Sequence, residues 1–436
     1  MTFADAPAGT PARRAAAAVV AAVLEKGRPL DEALAAGDAD GLEGRDRAFV
    51  RLLAATALRR LGEIDAILSE RLSAPLADAH PRARTALRLG VAQLVHLRTP
   101  AHAAVSATVE TLSGRSTDRL KGLVNAVLRR VARDAPAPLE GEAAARAATP
   151  PWLWDRLEAV HGAAGAVAIA AAHLAEPPLD LTLRGDGEGW AARLGGTLLP
   201  TGSLRLDQGG AVPALDGYAE GGWWVQDAAA ALPARLLGDV AGRAVIDLGA
   251  APGGKTAQLA AAGAAVTAVE LSPRRGQLLA DNLGRLGLSA TIVTADATTW
   301  RPDRPADAVL LDAPCSATGT IRRHPDIPHL RGPDDVARLA ALQDRMLDAA
   351  VAMVRPGGLL VFATCSLLPE EGEDRVAALL ARGAPVAVDP IGPADVPGCP
   401  EAATADGLLR TLPSFWYDRG GMDGFFAARL RRLPGA

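Results

Sequence analysis

The sequence predicts a multidomain chain with an all-α N-terminal domain, a small α+β domain and a C-terminal α/β domain built on a doubly wound sheet. Apolar residues follow helical spacing from 12 to 135, and no convincing strand pattern appears before residue 178. A Pro- and Ala-rich segment at 134–152 indicates a domain boundary. Beyond residue 241, strand and helix patterns alternate, as they do in a parallel sheet covered by helices. We expect domain limits of 1–140, 150–235 and 236–436.

The N-terminal helices are predicted from their apolar stripes. One helix places aliphatic residues on one face and basic or amide residues on another, namely Leu123, Val124, Val127, Leu128 and Val131 against Lys121, Asn125, Arg129 and Arg133. A second stripe has its members four residues apart: Phe49, Leu53, Ala57 and Leu61. Gly27, Gly62 and Gly90 are expected to end helical runs.

Charge is distributed unevenly along the chain. Residues 12–135 carry a net charge of +6, from 20 basic and 14 acidic side chains, whereas the whole chain carries −4. A basic domain beside an acidic body indicates a polyanionic partner for the basic part. A solvated helix surface that is merely rich in Arg is the alternative, and composition alone leaves it open.

The remaining strands are predicted from short alternating or apolar runs. Between residues 153 and about 235 these are "PLDLTLRGD", "LRLDQGGAVPAL" and "GGWWVQD". In the C-terminal domain they are "AVIDLG", "AVTAVEL", "ATIVTAD", "DAVLLDAP" and "GGLLVFATCS", with helical segments between them. Trp223 and Trp224 are expected to pack the small domain against the C-terminal one.

The cysteine content bounds the compartment and the kind of site. Cys315, Cys365 and Cys399 are too few for a disulfide framework and lack metal-ligand spacing. We therefore expect a cytoplasmic protein without a metal. No stretch approaches the ~20 apolar residues that cross a membrane, so no membrane partner is expected, and we expect a monomer.

Residues 249–256, "GAAPGGKT", match the phosphate-binding pattern G-x-x-x-x-G-K-[ST]. On that interpretation Lys255 binds a nucleotide phosphate, Thr256 binds magnesium, and the chain is an NTPase. Acidic residues at three successive strand ends argue against it, namely Asp247, Glu270 and Asp296. Such a rim repels a triphosphate, whereas an acid placed like Glu270 accepts two ribose hydroxyls. The loop and the acids together fit S-adenosylmethionine (SAM), which combines free ribose hydroxyls with sulfonium and ammonium cations.

Cys315 and Cys365 each follow a predicted parallel strand, at the edge where open α/β sheets bind their ligands. Two of three cysteines at this edge favour a chemical role over burial as small apolar residues, whereas Cys399 lies in a separate loop and looks incidental. A thiolate that adds to C6 of a cytosine makes C5 nucleophilic enough to accept a methyl group. The C5 proton must then leave and the enzyme must be released, which requires a second group. The residues alone leave open which thiol attacks.

The sequence around Cys315 indicates the substrate class. In "DAPC", Asp312 is placed to hydrogen-bond the edge of the base. The aromatic residue that an adenine-N6 or glutamine methyltransferase is expected to have at this loop is missing. A second cysteine favours RNA over DNA, because DNA cytosine enzymes use one.

Four segments resemble the RNA 5-methylcytosine methyltransferases: "DLGAAPGGKT", "DAPCSATGTIRRHPDI", "ATCSLLPEEGE" and "DGFFAARL". Two more, "LRLGVAQLVHL" and "LKGLVNAVLRRVAR", are similar to a NusB-type RNA-binding domain. Together they resemble, over nearly the whole chain, the bacterial RsmB/Sun group, which methylates a cytosine of 16S ribosomal RNA. The resemblance implies a NusB-like helical domain, an RRM-like small subdomain and a Rossmann-like SAM-dependent methyltransferase domain.

The resemblance also implies roles for individual residues. Cys365 would be the nucleophile, Cys315 would assist product release, and Asp312 would complete the catalytic set. The cofactor contacts would come from Gly249, Ala250, Ala251, Pro252, Gly253, Gly254, Lys255, Glu270, Asp296 and Asp312. Two positions depart from the group: Gly249 stands where Cys is common, which should leave backbone contacts intact, and Gly185 lacks the side chain of the Asn that is usual there.

Two segments are further candidates for RNA contact. Arg322, Arg323 and His324 follow the Cys315 loop and would bind phosphates beside a flipped base. In residues 415–426, Trp416 and Tyr417 would stack on bases, whereas Phe425 and Phe426 are expected in the core. Two alternatives for function remain: the same chemistry on tRNA, and a non-catalytic RNA-binding protein of ribosome assembly. The NusB-like domain favours rRNA by analogy, and two reactive thiols argue against an inactive site.

Overall fold

A computed structural model describes residues 9–36, 41–42, 44–114, 116–207 and 210–434. The chain divides into two compact units. Residues 1–175 and 323–332 belong to the first, and residues 176–322 and 333–436 belong to the second. The expected limits of three domains stay a prediction.

The first unit is helical. In the described parts of residues 9–175 every regular element is a helix: α1 (Thr10–Lys26), α2 (Leu30–Ala35), α3 (Gly44–Arg59), α4 (Leu61–Ser69), α5 (Pro81–Val91), α6 (Ala101–Glu110), α7 (Lys121–Asp134), α8 (Gly141–Ala148) and α9 (Pro151–Leu174), with short 3-10 and π turns between some of them. The predicted stripes lie in its core, where Leu53, Ala57, Val124 and Leu128 are buried. Leu123 is the exception, since it is exposed on α7.

Two of the three glycines do not end helices. Gly27 does so, with φ 64° just after α1. Gly62 lies inside α4, where a Cβ would stand 1.9 Å from the carbonyl oxygen of Ala147. Gly90 lies inside α5, where a Cβ would stand 2.4 Å from the side chain of Leu128. These two glycines therefore permit close helix packing, which a pattern search cannot distinguish from a break.

Residues 134–152, predicted as a linker, contain α8, whose Ala144 and Ala145 are buried. The next helix, α9, is long and apolar enough to cross a membrane by length and composition, contrary to the expectation from the sequence. At Gly162 its backbone leaves helical geometry, with φ 71° and ψ 170°. Neither part of α9 then has the ~20 residues that a span requires.

The second unit begins with a small antiparallel sheet of order β2-β3-β1-β4, in which β1 is Leu179–Leu183, β2 is Thr197–Leu198, β3 is Ser203–Leu206 and β4 is Trp223–Val225. All three predicted segments contribute strands, although residues 208–209 lie outside the described residues. Trp223 packs with Leu181 in the core of this sheet, and Trp224 packs with Ala250 and Ala251 of the glycine-rich loop. The expected role is confirmed for Trp224, whereas Trp223 packs within the small sheet.

The large sheet contains the five predicted strands and three more. They are β5 (Ala244–Leu248), β6 (Ala265–Glu270), β7 (Thr291–Thr294), β8 (Ala306–Asp312), β9 (Val354–Thr364), β10 (Val386–Val388), β11 (Leu409–Thr411) and β12 (Phe425–Arg432). The order is β10-β12-β9-β8-β5-β6-β7, with β11 paired to β12. Strands β5 to β9 are parallel as predicted, but β12 pairs antiparallel with β9, β10 and β11. The sheet is therefore mixed. Phe425 and Phe426 are buried on β12, as expected.

Helices cover the second unit, and the order of the strands in its large sheet determines where a ligand site is expected. They are α10 (Gly187–Leu194), α11 (Leu232–Arg235), α12 (Gly254–Ala261), α13 (Pro273–Leu286), α15 (Pro333–Met353) and α16 (Glu373–Ala381), while α14 (Ile327–Leu330) belongs to the first unit. From β5 the chain runs to β6 and β7 on one side, then returns to β8 and β9 on the other. Ligands of such sheets bind at this reversal, beyond the carboxyl ends of the strands.

The segment Arg323–Gly332 completes the first unit. Asp326 is buried, and its Oδ2 accepts a hydrogen bond of 2.9 Å from the backbone N–H of Leu30, the first residue of α2. Nε2 of His329 lies 2.9 Å from the carbonyl oxygen of Leu58, and burial is the main cause that lowers the pKa of this histidine. The segment therefore satisfies backbone groups at two helix ends of this unit.

Candidate active site

The glycine-rich loop connects β5 to α12 and packs closely on its neighbours. Gly249 has φ 77°, and a Cβ there would stand 2.4 Å from the carbonyl oxygen of Asp312 at the end of β8. Gly253 has φ 108°, and a Cβ there would stand 2.5 Å from the side chain of Leu279. Only glycine combines this backbone conformation with this approach. The loop therefore lies directly against the end of β8.

The two side chains that would bind phosphate and magnesium contact carboxylates instead. Nζ of Lys255 lies 2.7 Å from Oδ2 of Asp312. Burial acts to lower the pKa of Lys255, but Asp312 and, less strongly, Cys365 raise it above its usual value. The hydroxyl of Thr256 donates to Oδ2 of Asp247 at 2.6 Å. Since both groups are engaged within the protein, the NTPase interpretation loses the residues on which it rests.

Asp247 is fully buried and does not line the open edge of the site, contrary to its expected place on an acidic rim. Among the described residues, its Oδ1 has no hydrogen-bond partner. Burial raises the pKa of Asp247 to about 7, opposed by the hydrogen bond from Thr256. Its role is therefore to hold the start of α12 against β5.

The raised pKa of Asp247 predicts a pH-dependent stability. In the unfolded chain this group ionises near 3.8, and in the folded protein near 7. Below about pH 3.8 the group is protonated in both states, and its contribution to stability is complete. As the pH rises towards 7, the unfolded chain has released this proton while the folded protein still holds it, so the contribution is progressively lost. We expect the free energy of unfolding to fall by about 2 kcal/mol between about pH 5 and 6.5. Urea unfolding should show this fall, and Asp247→Asn should remove it; an unchanged pH slope in the variant would contradict the assignment.

Glu270 and Asp296 stand at the ends of the next two strands. Glu270 accepts hydrogen bonds from the backbone N–H groups of Ser272 (3.0 Å) and Ala251 (3.3 Å). Arg275 lies beside it, with Nη1 3.6 Å from the carboxylate. Asp296 is exposed, and hydrogen bonds from Thr298 lower its pKa. Glu270 is buried as well, and each of its carboxylate oxygens accepts one backbone hydrogen bond. Its remaining lone pairs are the acceptors that ribose hydroxyls would use.

The two cysteines predicted at the sheet edge meet. Sγ of Cys315 lies 3.4 Å from Sγ of Cys365, and both residues are partly exposed. The carbonyl oxygen of Cys365 accepts a hydrogen bond of 2.9 Å from the N–H of Gly319, so the two segments are also joined through their backbones. Cys399 is buried in the core, where burial raises its pKa to about 12, and its predicted incidental role agrees with this position.

The surroundings of the two thiols differ in charge. The interaction with Cys365, then burial, and then the nearby carboxylate of Glu371 raise the pKa of Cys315 well above its usual value. Lys255, in contrast, interacts favourably with a charged Cys365. An ammonium group stabilises a neighbouring thiolate, whereas a carboxylate disfavours one. The two thiols therefore lie near groups of opposite charge, Glu371 at Cys315 and Lys255 at Cys365.

The buried polar residues next to the cysteine pair were not predicted from the sequence. Ser316, Gln343 and Glu371 are buried and hydrogen-bonded to one another or to the Cys315 segment. Glu371 lies within the quoted segment "ATCSLLPEEGE", but a buried and an exposed glutamate look alike in a sequence. Among the described residues, no group of three His, Cys, Asp or Glu is arranged to hold a metal ion.

Arg322 does not bind phosphate, because it is buried. Its Nη2 lies 2.5 Å from Asp227, its Nε lies 2.9 Å from Asp423, and its Nη1 donates to the carbonyl oxygen of Gly420. The guanidinium is thus the centre of an internal ion cluster. His324 is partly exposed, with Nδ1 3.5 Å from Asp31, and Arg323 is half-buried.

The aromatic residues near the C terminus divide between core and surface. Trp416 is buried, and its indole N–H donates to the carbonyl oxygen of Gly398 at 2.8 Å, so it is not placed to stack on RNA. Tyr417 is 71% exposed. Of the two expected stacking residues, only Tyr417 presents its ring to solvent.

Family comparisons match both parts of the chain. Residues 10–133 match the NusB family, and residues 234–431 match the family described as 16S rRNA methyltransferase RsmB/F. Proteins named ribosomal RNA small subunit methyltransferase B are similar over nearly the full length. The one from Pseudomonas syringae pv. tomato is 39% identical over 443 residues, 97% of each chain. The one from Salmonella newport is 36% identical over 435 residues, 96% of this chain and 98% of its own.

Solved structures support the fold. The crystal structure of PH0851 has a TM-score of 0.79 at 22% identity, and the match covers 96% of this chain and 99% of that one. A methyltransferase homologue from Pyrococcus horikoshii has a TM-score of 0.53 at 25% identity, over 64% of this chain and 94% of its own.

Proposed function

Because the chain belongs to the RsmB/F family of 16S rRNA methyltransferases, we propose that it methylates C5 of a cytosine in 16S rRNA, with SAM as the methyl donor. The observation that carries this proposal is the pair of thiols 3.4 Å apart, with Lys255 beside one and Glu371 beside the other. We infer that the enzyme works in the cytoplasm as a monomer.

The cofactor site is proposed around the glycine-rich loop. Residues 249–255 would surround the methionine part of SAM, with backbone N–H groups at the start of α12 directed to its carboxylate. Glu270 would accept the ribose hydroxyls, with Asp296 and Asp312 completing the acidic side. The two glycines hold the loop close to the end of β8 and to α13, because a Cβ at Gly249 would stand 2.4 Å from the carbonyl oxygen of Asp312 and one at Gly253 would stand 2.5 Å from Leu279. When bound, SAM supplies an electrophilic methyl group.

The proposed reaction uses the thiols in sequence. Cys365, as a thiolate, forms a bond from Sγ to C6 of the cytosine, and the electron pair of the C5–C6 double bond moves so that C5 can accept the methyl group. Sγ of Cys315, in the thiolate form, is the proposed acceptor of the C5 proton. The electron pair of the C5–H bond then forms the C5–C6 double bond again, and the bond from Sγ of Cys365 to C6 breaks, so that Cys365 leaves as a thiolate. Cys315, within 3.4 Å of Cys365, is the proposed group that assists this second half. Asp312, held by Lys255, would contact the base edge.

A deletion strain tests the target. Mapping of 5-methylcytosine in its total RNA should show one modified 16S rRNA position lost, restored by the wild-type chain and left unmodified by Cys365→Ala. If 5-methylcytosine is lost from tRNA while 16S rRNA is unchanged, the substrate is tRNA. If the map of 5-methylcytosine does not change at all, the proposed enzymatic activity is wrong.

The proposed cofactor site predicts that replacing Glu270 strongly weakens SAM binding. Glu270→Ala should weaken SAM binding by about 1.5–3 kcal/mol, because hydrogen bonds to a charged acceptor are lost. Calorimetry measures it, with Glu142→Ala as a control at an exposed position in the first unit. Magnesium-dependent ATP binding, with no SAM binding, would restore the NTPase interpretation.

RNA binding is proposed for the helical unit. Arg129 is exposed on α7 and lines an open groove of about 450 Å³ against α6, together with Asn125 and His102. Arg129→Glu should weaken RNA binding and reduce the slope of log affinity against log salt by about 1. The matched control is Arg243→Glu, an exposed arginine directly before β5, at the amino end of the sheet. Equal weakening by both variants would mean that net charge, rather than this groove, attracts RNA.

A further inference from the structure

Glu371 holds the segment that carries Cys315. Its carboxyl group is fully buried, with Oε1 accepting from the backbone N–H of Ser316 (2.8 Å) and Oε2 from the hydroxyl of Ser316 (2.5 Å). Gln343 on α15 donates to the same Oε1 (3.4 Å) and to the carbonyl oxygen of Pro314 (2.9 Å). The residues on both sides of Cys315 are therefore fixed, one by Glu371 itself and the other through Gln343.

Cys365 is held mainly by the sheet. It follows the end of β9, where Thr364 is paired with Phe426 of β12. The hydroxyl of Thr364 donates to the backbone carbonyl of Glu371 (3.0 Å), a contact that does not involve the glutamate side chain. Ser366 joins the buried network through its hydroxyl, 3.3 Å from that of Ser316. The Glu371 side chain therefore contacts the Cys315 segment through two hydrogen bonds from Ser316, and the Cys365 segment through the hydroxyl of Ser366.

The carboxyl group also acts on Cys315 by its charge. The ionisable groups that bear on the Cys315 thiol are Cys365 and Glu371, and each raises the pKa of Cys315. Burial raises the pKa of Glu371 as well, while its hydrogen bonds from Ser316 and Ser366 oppose this. Glu371 itself is not exposed, so it has no surface with which to touch RNA or a cofactor.

We propose that Glu371 is a positioning residue that sets the place of Cys315 for the release half of the reaction, an inference that rests on the proposed covalent mechanism. Through Ser316 it holds the Cys315 thiol close to Cys365, where the thiol can assist in breaking the Cys365–C6 bond. Its loss should therefore slow release and spare the attack of Cys365 on C6.

Glu371→Gln tests this, because the amide keeps the shape of the side chain and removes its charge. Covalent attachment of RNA should stay within about twofold of the wild-type rate and the KM for RNA should be unchanged, while release slows at least about tenfold, as loss of charge-assisted hydrogen bonds at the Cys315 segment implies. The attached RNA then appears as a slow band on a denaturing gel. Glu370→Gln is the matched control, the same change at the preceding residue, and it should behave as wild type.

Ser316→Ala gives a second, milder test that leaves the carboxylate in place, and it should accumulate the same band to a smaller extent. Thermal unfolding shows whether each variant is folded. If one variant does not fold, the release rate of the other variant is the test. If both variants release RNA at the wild-type rate, or if attachment and release slow by the same factor, the inference is wrong. If Cys315→Ala itself accumulates no attached RNA, Cys315 is not the group that assists release, and the proposed role of Glu371 fails with that assignment.

Discussion

Cys365→Ala is expected to abolish methylation while leaving SAM binding intact. Without this thiol no bond to C6 forms, so C5 stays a poor nucleophile. The expected loss is at least several thousandfold, since the covalent route itself is removed. Transfer of a labelled methyl group to 16S rRNA measures activity, and calorimetry measures SAM binding.

Cys315→Ala should give the opposite phenotype. Attack and methyl transfer still occur, but release fails, so RNA stays attached through Cys365 and migrates slowly with the protein on a denaturing gel. Cys399→Ala is the matched control, because that thiol is buried in the core and is not part of the Cys315–Cys365 pair. An adduct in Cys365→Ala and none in Cys315→Ala would reverse the two roles. Two active variants that trap no RNA would exclude covalent catalysis.

Arg322→Ala should destabilise the second unit by about 3–5 kcal/mol. The change removes the cation between two buried carboxylates, those of Asp227 and Asp423, and breaking a buried ion pair from one side has a cost of this size. Urea unfolding followed by tryptophan fluorescence measures it.

The control for Arg322 is Arg338→Ala, which removes an exposed ion pair with Asp335 of 2.8 Å. Exposed pairs contribute about 0–1 kcal/mol, so the two variants should differ clearly. Equal effects would mean that the buried cluster adds nothing to stability. Because Arg322 ends the Cys315 loop, we also expect its loss to reduce methylation.

The sequence predicted those parts of the site that depend on strand ends. Strands β5 to β9 have strong apolar runs, and residues directly after parallel strands meet at one edge. Cys315, Cys365 and the glycine-rich loop therefore came together as expected, and the family recognised from their motifs is confirmed. The strands β10 and β11 are only three residues long, too short for a periodic pattern to register.

The misplaced residues share a physical cause, since their positions depend on tertiary contacts and burial that a local sequence pattern does not contain. Arg322 pairs with Asp227 and Asp423, about a hundred residues distant, so a local sequence of two arginines and a histidine resembles a phosphate site. Asp247 looks like a rim acid because it stands near a strand end, yet Thr256 and complete burial give it a structural role. Trp416 likewise is buried and donates to the carbonyl oxygen of Gly398 in a neighbouring loop.

The segment Arg323–Gly332 has a consequence for synthesis on the ribosome. Residues 1–175 leave the ribosome before the chain has reached this segment, at ~5–20 residues per second. The N–H of Leu30 must therefore wait for its acceptor, Asp326, until about 150 more residues have been translated, roughly 7–30 s later at those rates. Until then two helix ends of this unit, at Leu30 and at Leu58, lack the partners that the segment supplies. The first part of the chain to emerge is thus among the last to be completed.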